Sequence, residues 1–149
     1  MCMKVSEYTT ARAGILQSAA YRNLQRFMTH NLHDKGVTMP EWGLLGLVHE
    51  SGSEGISMSV AAESMSYELS HITNLANDLE VAGHIKRIVS KEDRRYKNLA
   101  LTTTGKDFVE KTEKELRKKM AKWLKGISKI QLLGYINVLE ELAQKTHDS

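Results

Sequence analysis

The sequence predicts a mainly α-helical domain carrying one small β-hairpin, and three observations lead there. The 149 residues contain a single Pro, so little interrupts a helix. Apolar residues recur at spacings of three to five through most of the chain, between Ser/Thr capping signals and Gly stops. Only residues 85–102 break into short runs of strand type. A chain this long can bury roughly 68–70% of its unfolded surface unaided. With 41% hydrophobic and 26% charged residues, it has neither a disordered nor a collagen-like composition. One Cys excludes an intramolecular disulfide. No apolar run approaches the ~20 residues that span a bilayer, and Met1 to Tyr8 lack the apolar core of a signal peptide. The expectation is one cytoplasmic domain that does not engage a membrane.

The first helix should run from about Thr9 to Lys35, with Ile15, Ala19, Leu24, Phe27, Met28 and Leu32 on its apolar side and Gly36 as its stop. Thr38-Met-Pro-Glu41 is a capping box with Pro in the first turn, where its missing N–H costs little. It opens a second helix bearing Trp42, Leu44, Leu45, Leu47 and Val48, which ends in the flexible stretch 51–55. Ser57 can cap a short third helix, 58–65. After a break at Ser66-Tyr67 a fourth runs from about Glu68 to Ala82, stopped by Gly83.

The fourth helix has two faces. Leu69, Ile72, Leu75, Ala76 and Leu79 form an apolar stripe, while Ser70, His71, Thr73, Asn74 and Asn77 lie largely away from it. An ordinary solvated face is one reading, but such faces favour Glu and Lys, which suit helices better than Ser, Thr and Asn. The other reading is base recognition: short uncharged donors and acceptors at this spacing can read base edges in a major groove, Asn being suited to adenine.

Residues 85–89 and 98–102 read as two short strands, the second with Leu99 and Leu101 on one face, joined by the tip 90–97. Six basic and two acidic residues fall within 86–97, which leaves the rest of the chain nearly neutral although the total is +3. So local a positive field suits a polyanion such as double-stranded DNA. A solvated hairpin tip is the alternative. Two short helices followed by a hairpin with a basic tip is the order of a winged helix-turn-helix. Thr102 then caps a long helix to about Gly126. Its acids, Asp107, Glu110, Glu113 and Glu115, precede its bases, Arg117, Lys118, Lys119, Lys122 and Lys125. That order matches the helix dipole and by itself accounts for the basic cluster; DNA contact there is the other reading. Ser128-Lys-Ile-Gln131 caps a last helix with Leu132, Leu133, Ile136, Leu139 and Leu142.

Three segments resemble the MarR family of bacterial transcriptional regulators over about Thr9 to Ala143. They are Val37-Thr-Met-Pro-Glu-Trp-Gly-Leu-Leu45, Glu80-Val-Ala-Gly83-His-Ile85, and Asp93-Arg-Arg-Tyr-Lys-Asn-Leu-Ala-Leu-Thr-Thr-Thr-Gly105. The resemblance implies an obligate homodimer in which 9–36 and 103–146 supply dimerisation helices and 37–102 the winged helix-turn-helix. Each subunit would present its fourth helix and wing to a palindromic operator. Arg95 would then enter the minor groove, held by Asp93, while Arg94 and Lys97 contribute charge. The family's usual effector is a small aromatic or phenolic ligand, which would lie in a cleft between the winged helix and the dimer helices near Tyr21, Arg22, His30 and Trp42. An aromatic wall with a cationic or donor group suits an aromatic carboxylate; simple core packing of Trp42 is the other reading. The chain departs from the family in lacking the Arg or Lys common near Asn74 and the additional Asp common near Ser90, and Ser66 stands where a turn Gly is common.

Other chemistries are weakly signalled. Cys2 precedes the first helix, unlike the sensing cysteines of one branch of this family. His30 and His33, beside Asp34, could share a zinc ion, but no further ligands cluster with them in the sequence. No phosphate-cradling Gly loop, G-x-S-x-G or H-E-x-x-H motif is present, so neither an enzyme nor a cofactor is expected. The seven Met and two Trp read as core and interface filler. Two functions remain: a DNA-binding repressor or activator, and a winged-helix interaction module, an adaptor or anti-repressor, that binds protein instead of DNA. The wing separates them, since an adaptor has no need of Arg94, Arg95 and Lys97 at its tip.

Overall fold

Thr9 starts the first helix by accepting the backbone N–H of Arg12 on its hydroxyl, at 3.1 Å. In the computed structural model, which describes residues 9–145, this helix, α1, spans Thr10–His33. Cys2 lies outside the described residues. Of the apolar positions on α1 only Leu32 is buried; Leu24, Phe27 and Met28 are half-buried, and Ile15 is exposed.

The Thr38–Glu41 box opens α2 (Met39–Glu50), with Thr38 N–H donating to Glu41 Oε2 at 2.6 Å and Glu41 N–H to Thr38 Oγ1 at 3.4 Å. Leu44, Leu45 and Val48 put this helix in the core. α3 (Met58–Met65) and α4 (Leu69–Val81) follow, with Ser57 capping the former through the N–H of Val60. Ala61, Ile72, Leu75, Ala76 and Leu79 face inward. Burying side chains the size of Leu and Ile stabilises the fold by roughly 1.5–3 kcal/mol each. Leu69 departs from the expected stripe and is 49% exposed. It is the first residue of α4, and burial on that helix begins only at Ile72.

The hairpin expected over 85–102 is instead part of a three-stranded antiparallel sheet. β1 (Ile56–Ser57), β2 (Ile85–Val89) and β3 (Lys97–Leu101) lie in the order β1-β3-β2. A two-residue strand leaves no period to detect, which is why the first strand is invisible in the sequence. A single 3-10 turn, Gly52–Glu54, leads into it. Gly55 makes the pairing possible: at φ +68° a Cβ there would sit 2.3 Å from the carbonyl oxygen of Leu99. β3 begins one residue earlier than expected, pairing Lys97 with Val89, and as central strand it buries both Leu99 and Ala100.

Thr102 then starts α5 (Thr103–Trp123), donating its hydroxyl to Gly83 O at 2.7 Å and accepting the N–H of Gly105 at 2.9 Å. A Cβ at Gly105 would fall 1.9 Å from His84 O. Close approach of the first helical turn to that carbonyl is therefore what the Gly of the Leu-Thr-Thr-Thr-Gly105 run provides. His84 also stacks on Phe108, ring centroids 4.3 Å apart.

The chain divides into two compact units, one ending at Glu113 and the other beginning at Lys114. The second holds the end of α5 and α6 (Lys129–Gln144), which a Ser128–Gln131 capping box opens. No residue of α6 is buried. Ile130 is 83% exposed, and Leu133, Ile136 and Leu142 are exposed as well. No described helix is long and apolar enough to cross a membrane.

Candidate nucleic-acid interface

α4 carries its short polar side chains outward because Ile72, Leu75, Ala76 and Leu79 claim the opposite side for the core. Ser70, His71, Asn74 and Asn77 are exposed, and Thr73 is half-buried. Their hydrogen-bonding capacities differ. Thr73 donates its hydroxyl to Leu69 O, four residues back, at 2.8 Å, so only its lone pairs face outward. His71 meets the edge of Tyr67 at 4.7 Å between centroids. Asn74 has no hydrogen-bond partner among the described residues, so both ends of its amide are open to a ligand.

Asn77 is held. Arg87, on β2, donates from Nη2 to Asn77 Oδ1 at 2.7 Å and from Nη1 to the carboxylate of Glu80. One guanidinium thus bridges two side chains of α4 three residues apart. Sequence reasoning did not single out Arg87 or Glu80. Asn77 and Glu80 stand three residues apart on α4, but what brings Arg87 to them is the return of the chain through β2.

The wing tip folds on itself. Ser90 N–H donates to Tyr96 O at 2.9 Å and Tyr96 N–H to Asp93 O at 3.0 Å. The buried Ser90 hydroxyl oxygen accepts the N–H of Glu92 at 3.3 Å and faces that of Asp93 at 3.5 Å. A hydroxyl here supplies the turn-closing acceptor that an Asp would also supply. At the tip, Asp93 Oδ1 accepts from Arg95 N at 3.0 Å and from Nε at 3.1 Å, while Oδ2 accepts from Nη2 at 2.7 Å. The Arg95 side chain hydrogen bonds hold the Asp93 carboxyl below the ordinary carboxylate range, and the same contact raises Arg95 further. The Arg95 guanidinium carbon also lies 6.0 Å from the Tyr96 ring centroid. Its side chain nevertheless stays 83% exposed against 35% for Asp93, so the charge is oriented and open at once. Arg94 and Lys97 are exposed and have no ion-pair partner among the described residues.

The base of the wing is braced from outside it. Lys91 Nζ lies 2.8 Å from Glu54 Oε1, and Asn98 Nδ2 donates to Glu54 O at 3.0 Å. Hydrogen bonding and charge from Lys91 lower the Glu54 carboxyl.

The residues expected around a ligand cleft do not all converge. Arg22 and His30 line a shallow groove of about 450 Å³ along α1 with Gln25, Arg26 and Thr29. Tyr21 is exposed and Trp42 half-buried, and neither lines that groove. A larger cleft of about 770 Å³, which sequence reasoning missed, is lined by residues that include Val48, His49, Lys86, Ile88, Leu101 and Lys106. His33 Nδ1 lies 3.3 Å from Asp34 Oδ1. Among the described residues no three His, Cys, Asp or Glu converge as a metal site.

Comparison with known proteins gives this geometry its context. The sequence model of the MarR family matches residues 35–95, from the start of α2 to the wing tip. The HTH-type transcriptional repressor MdtR of Bacillus subtilis is 26% identical over 142 residues, covering 95% of this chain and 90% of MdtR. The HTH-type transcriptional regulator PapX of Escherichia coli is 30% identical over 51% of this chain, which spans about half the length of that relative. Among solved structures, CouR from Rhodococcus jostii RHA1 bound to p-coumaroyl-CoA superposes with a TM-score of 0.83 at 22% identity, covering 99% of this chain and all of that one. The S. aureus MepR–DNA complex superposes with a TM-score of 0.72 at 20% identity, covering 91% of this chain and 97% of that one. MdtR and PapX are both regulators of transcription. The helix-turn-helix of α3 and α4 and most of the wing lie within the segment that the MarR family model matches, and the chain shares the winged-helix fold of these solved structures.

Proposed function

We propose that this protein is a transcriptional regulator of the MarR family that acts as a homodimer on a palindromic operator in double-stranded DNA. α4 enters the major groove and the wing tip the adjacent minor groove. The observation that carries this reading is the exposed Arg95 guanidinium, oriented by Asp93 at the end of a basic wing beside a polar helix face. A narrow minor groove concentrates negative potential and attracts an Arg so presented. Ser70, His71, Thr73 and Asn74 face bases or sugar-phosphate in the major groove, with Asn77 at the end of the row, and Arg94 and Lys97 meet phosphates. MepR, with the same fold, was crystallised on DNA. The winged helix over 37–102 is the DNA-reading part. The uncovered apolar side chains of α1 and α6 are the dimer-forming ones, because a monomer would leave Ile15, Leu16, Ile130, Leu133 and Ile136 in water.

A small aromatic or phenolic anion releases the protein from DNA. CouR, of the same fold, holds a phenolic thioester, and Arg22 and His30 in the α1 groove provide a cation and a donor for such a ligand. Selection of bound sites from random and native genomic DNA tests the main reading: a two-fold symmetric site should emerge, and its binding should fall with salt. Tryptophan fluorescence and operator binding across a panel of aromatic acids test the second part.

A further inference from the structure

The hydrogen bond between Arg87 and Asn77 determines what Asn77 can read. A guanidinium has five donors and no acceptor, so the amide atom facing Arg87 Nη2 at 2.7 Å is the oxygen. The Nδ2 group then occupies the other end of the amide, and Asn77 lies on the exposed side of α4. Arg87 is itself fixed, its second nitrogen bonded to Glu80 and its side chain only 25% exposed. Rotating the Asn77 amide would set two donors against each other.

We infer that Arg87 is a specificity-determining positioning residue: it holds the Asn77 oxygen toward β2, so that the Nδ2 donors are the end of the amide that Asn77 offers to a base edge. This rests on the DNA-binding reading above. The Asn77 oxygen keeps a second lone pair, but with Oδ1 turned to Arg87 the paired donor and acceptor by which Asn grips adenine N6 and N7 loses to donation alone. The base edges left to Asn77 are those that present acceptors to the major groove, above all guanine N7 and O6. Asn74 keeps both ends of its amide free, so two asparagines one turn apart on the same helix carry different codes.

Asn77→Ala, Asn77→Asp and Arg87→Lys, each put through DNA selection beside wild type, test the assignment. Asn77→Ala locates the base pair that Asn77 faces. Asn77→Asp keeps an acceptor for Arg87 but turns an acceptor outward, so preference at that pair should move from guanine toward cytosine N4 by roughly tenfold. Arg87→Lys keeps the charge opposite Glu80 and removes the fork that reaches Asn77. The freed amide should then accept adenine at the same pair. A half-site left unchanged by Asn77→Asp and Arg87→Lys overturns the assignment alone, as does an Asn77→Ala protein with unaltered preference at every position. If Arg87→Lys does not fold, the Asn77→Asp result decides. Wild type that selects no sequence overturns the DNA reading and this assignment with it.

Discussion

Both carboxylate oxygens of Asp93 hold the side chain of Arg95, two residues further along the wing, with Nη2 and Oδ2 2.7 Å apart. Asp93 also accepts the backbone N–H of Arg95. One residue thus fixes both the course of the tip and the direction of its cation. Arg95 arrives at a groove with part of its rotamer entropy already spent.

The arginines of the wing should therefore not be equivalent. Arg95→Ala should weaken operator binding at least tenfold, and Arg94→Ala less, with sequence preference unchanged. Each should lower the slope of log affinity against log salt by about one, as expected for one phosphate charge. Asp93→Ala should fall between them, because it leaves the charge and removes its orientation. Titrations at several salt concentrations measure all three; wild-type affinity in Arg95→Ala would remove the wing from the DNA interface.

The pH dependence has a definite sign. Arg95 depresses the Asp93 carboxyl in the folded protein. The contact is therefore fully formed above the unfolded carboxylate value, about 3.9, and is lost only as pH falls through the lower folded value. The ratio of wild-type to Asp93→Asn affinity for DNA should stay level from about pH 5 to pH 9. A step near neutrality would assign the wing to another titrating group.

Asn74 should carry sequence choice of its own. Its replacement by Ala should cost roughly 1–3 kcal/mol on the preferred site and relax preference at one base pair in each half-site. Equal loss on every sequence, measured by competition, would place Asn74 on the phosphate backbone instead.

The exposed apolar side of α6 should be needed for association. Leu133→Asp combined with Ile136→Asp, or removal of residues 128–149, should give monomers or aggregates in analytical ultracentrifugation and abolish operator binding. A well-folded monomer with full affinity would contradict the dimer.

Ser66 closes α3 with φ 54° and ψ 42°, the single non-Gly residue with positive φ among those described. An L-residue in this left-handed region costs about 1–2 kcal/mol, partly offset by the greater unfolded freedom of Gly. Ser66→Gly should raise the stability by about 0.5–1 kcal/mol in urea unfolding, with m unchanged.

Local signals were legible because their physics is local. The capping boxes at Thr38 and Ser128, the stops at Gly36 and Gly83, and the helical period of 72, 75, 76 and 79 all act within a few residues of chain. The Asp93 and Arg95 pairing belongs to the same class: a two-residue spacing at a tight tip leaves little choice of geometry. The tertiary structure decided what depends on segments meeting from afar. β1 exists only because Gly55 lets residues 56–57 lie against Leu99, more than forty positions away. Leu69 is exposed because the core ends one turn further into α4. Asn77 looks free in the sequence and is held by Arg87 in the fold, since β2 returns the chain antiparallel to β3 and beside α4. Hydrophobic period says which face of an element is buried; which polar partner waits on its other face is set by strand register and helix packing, and these emerge only when the whole chain has closed around its core.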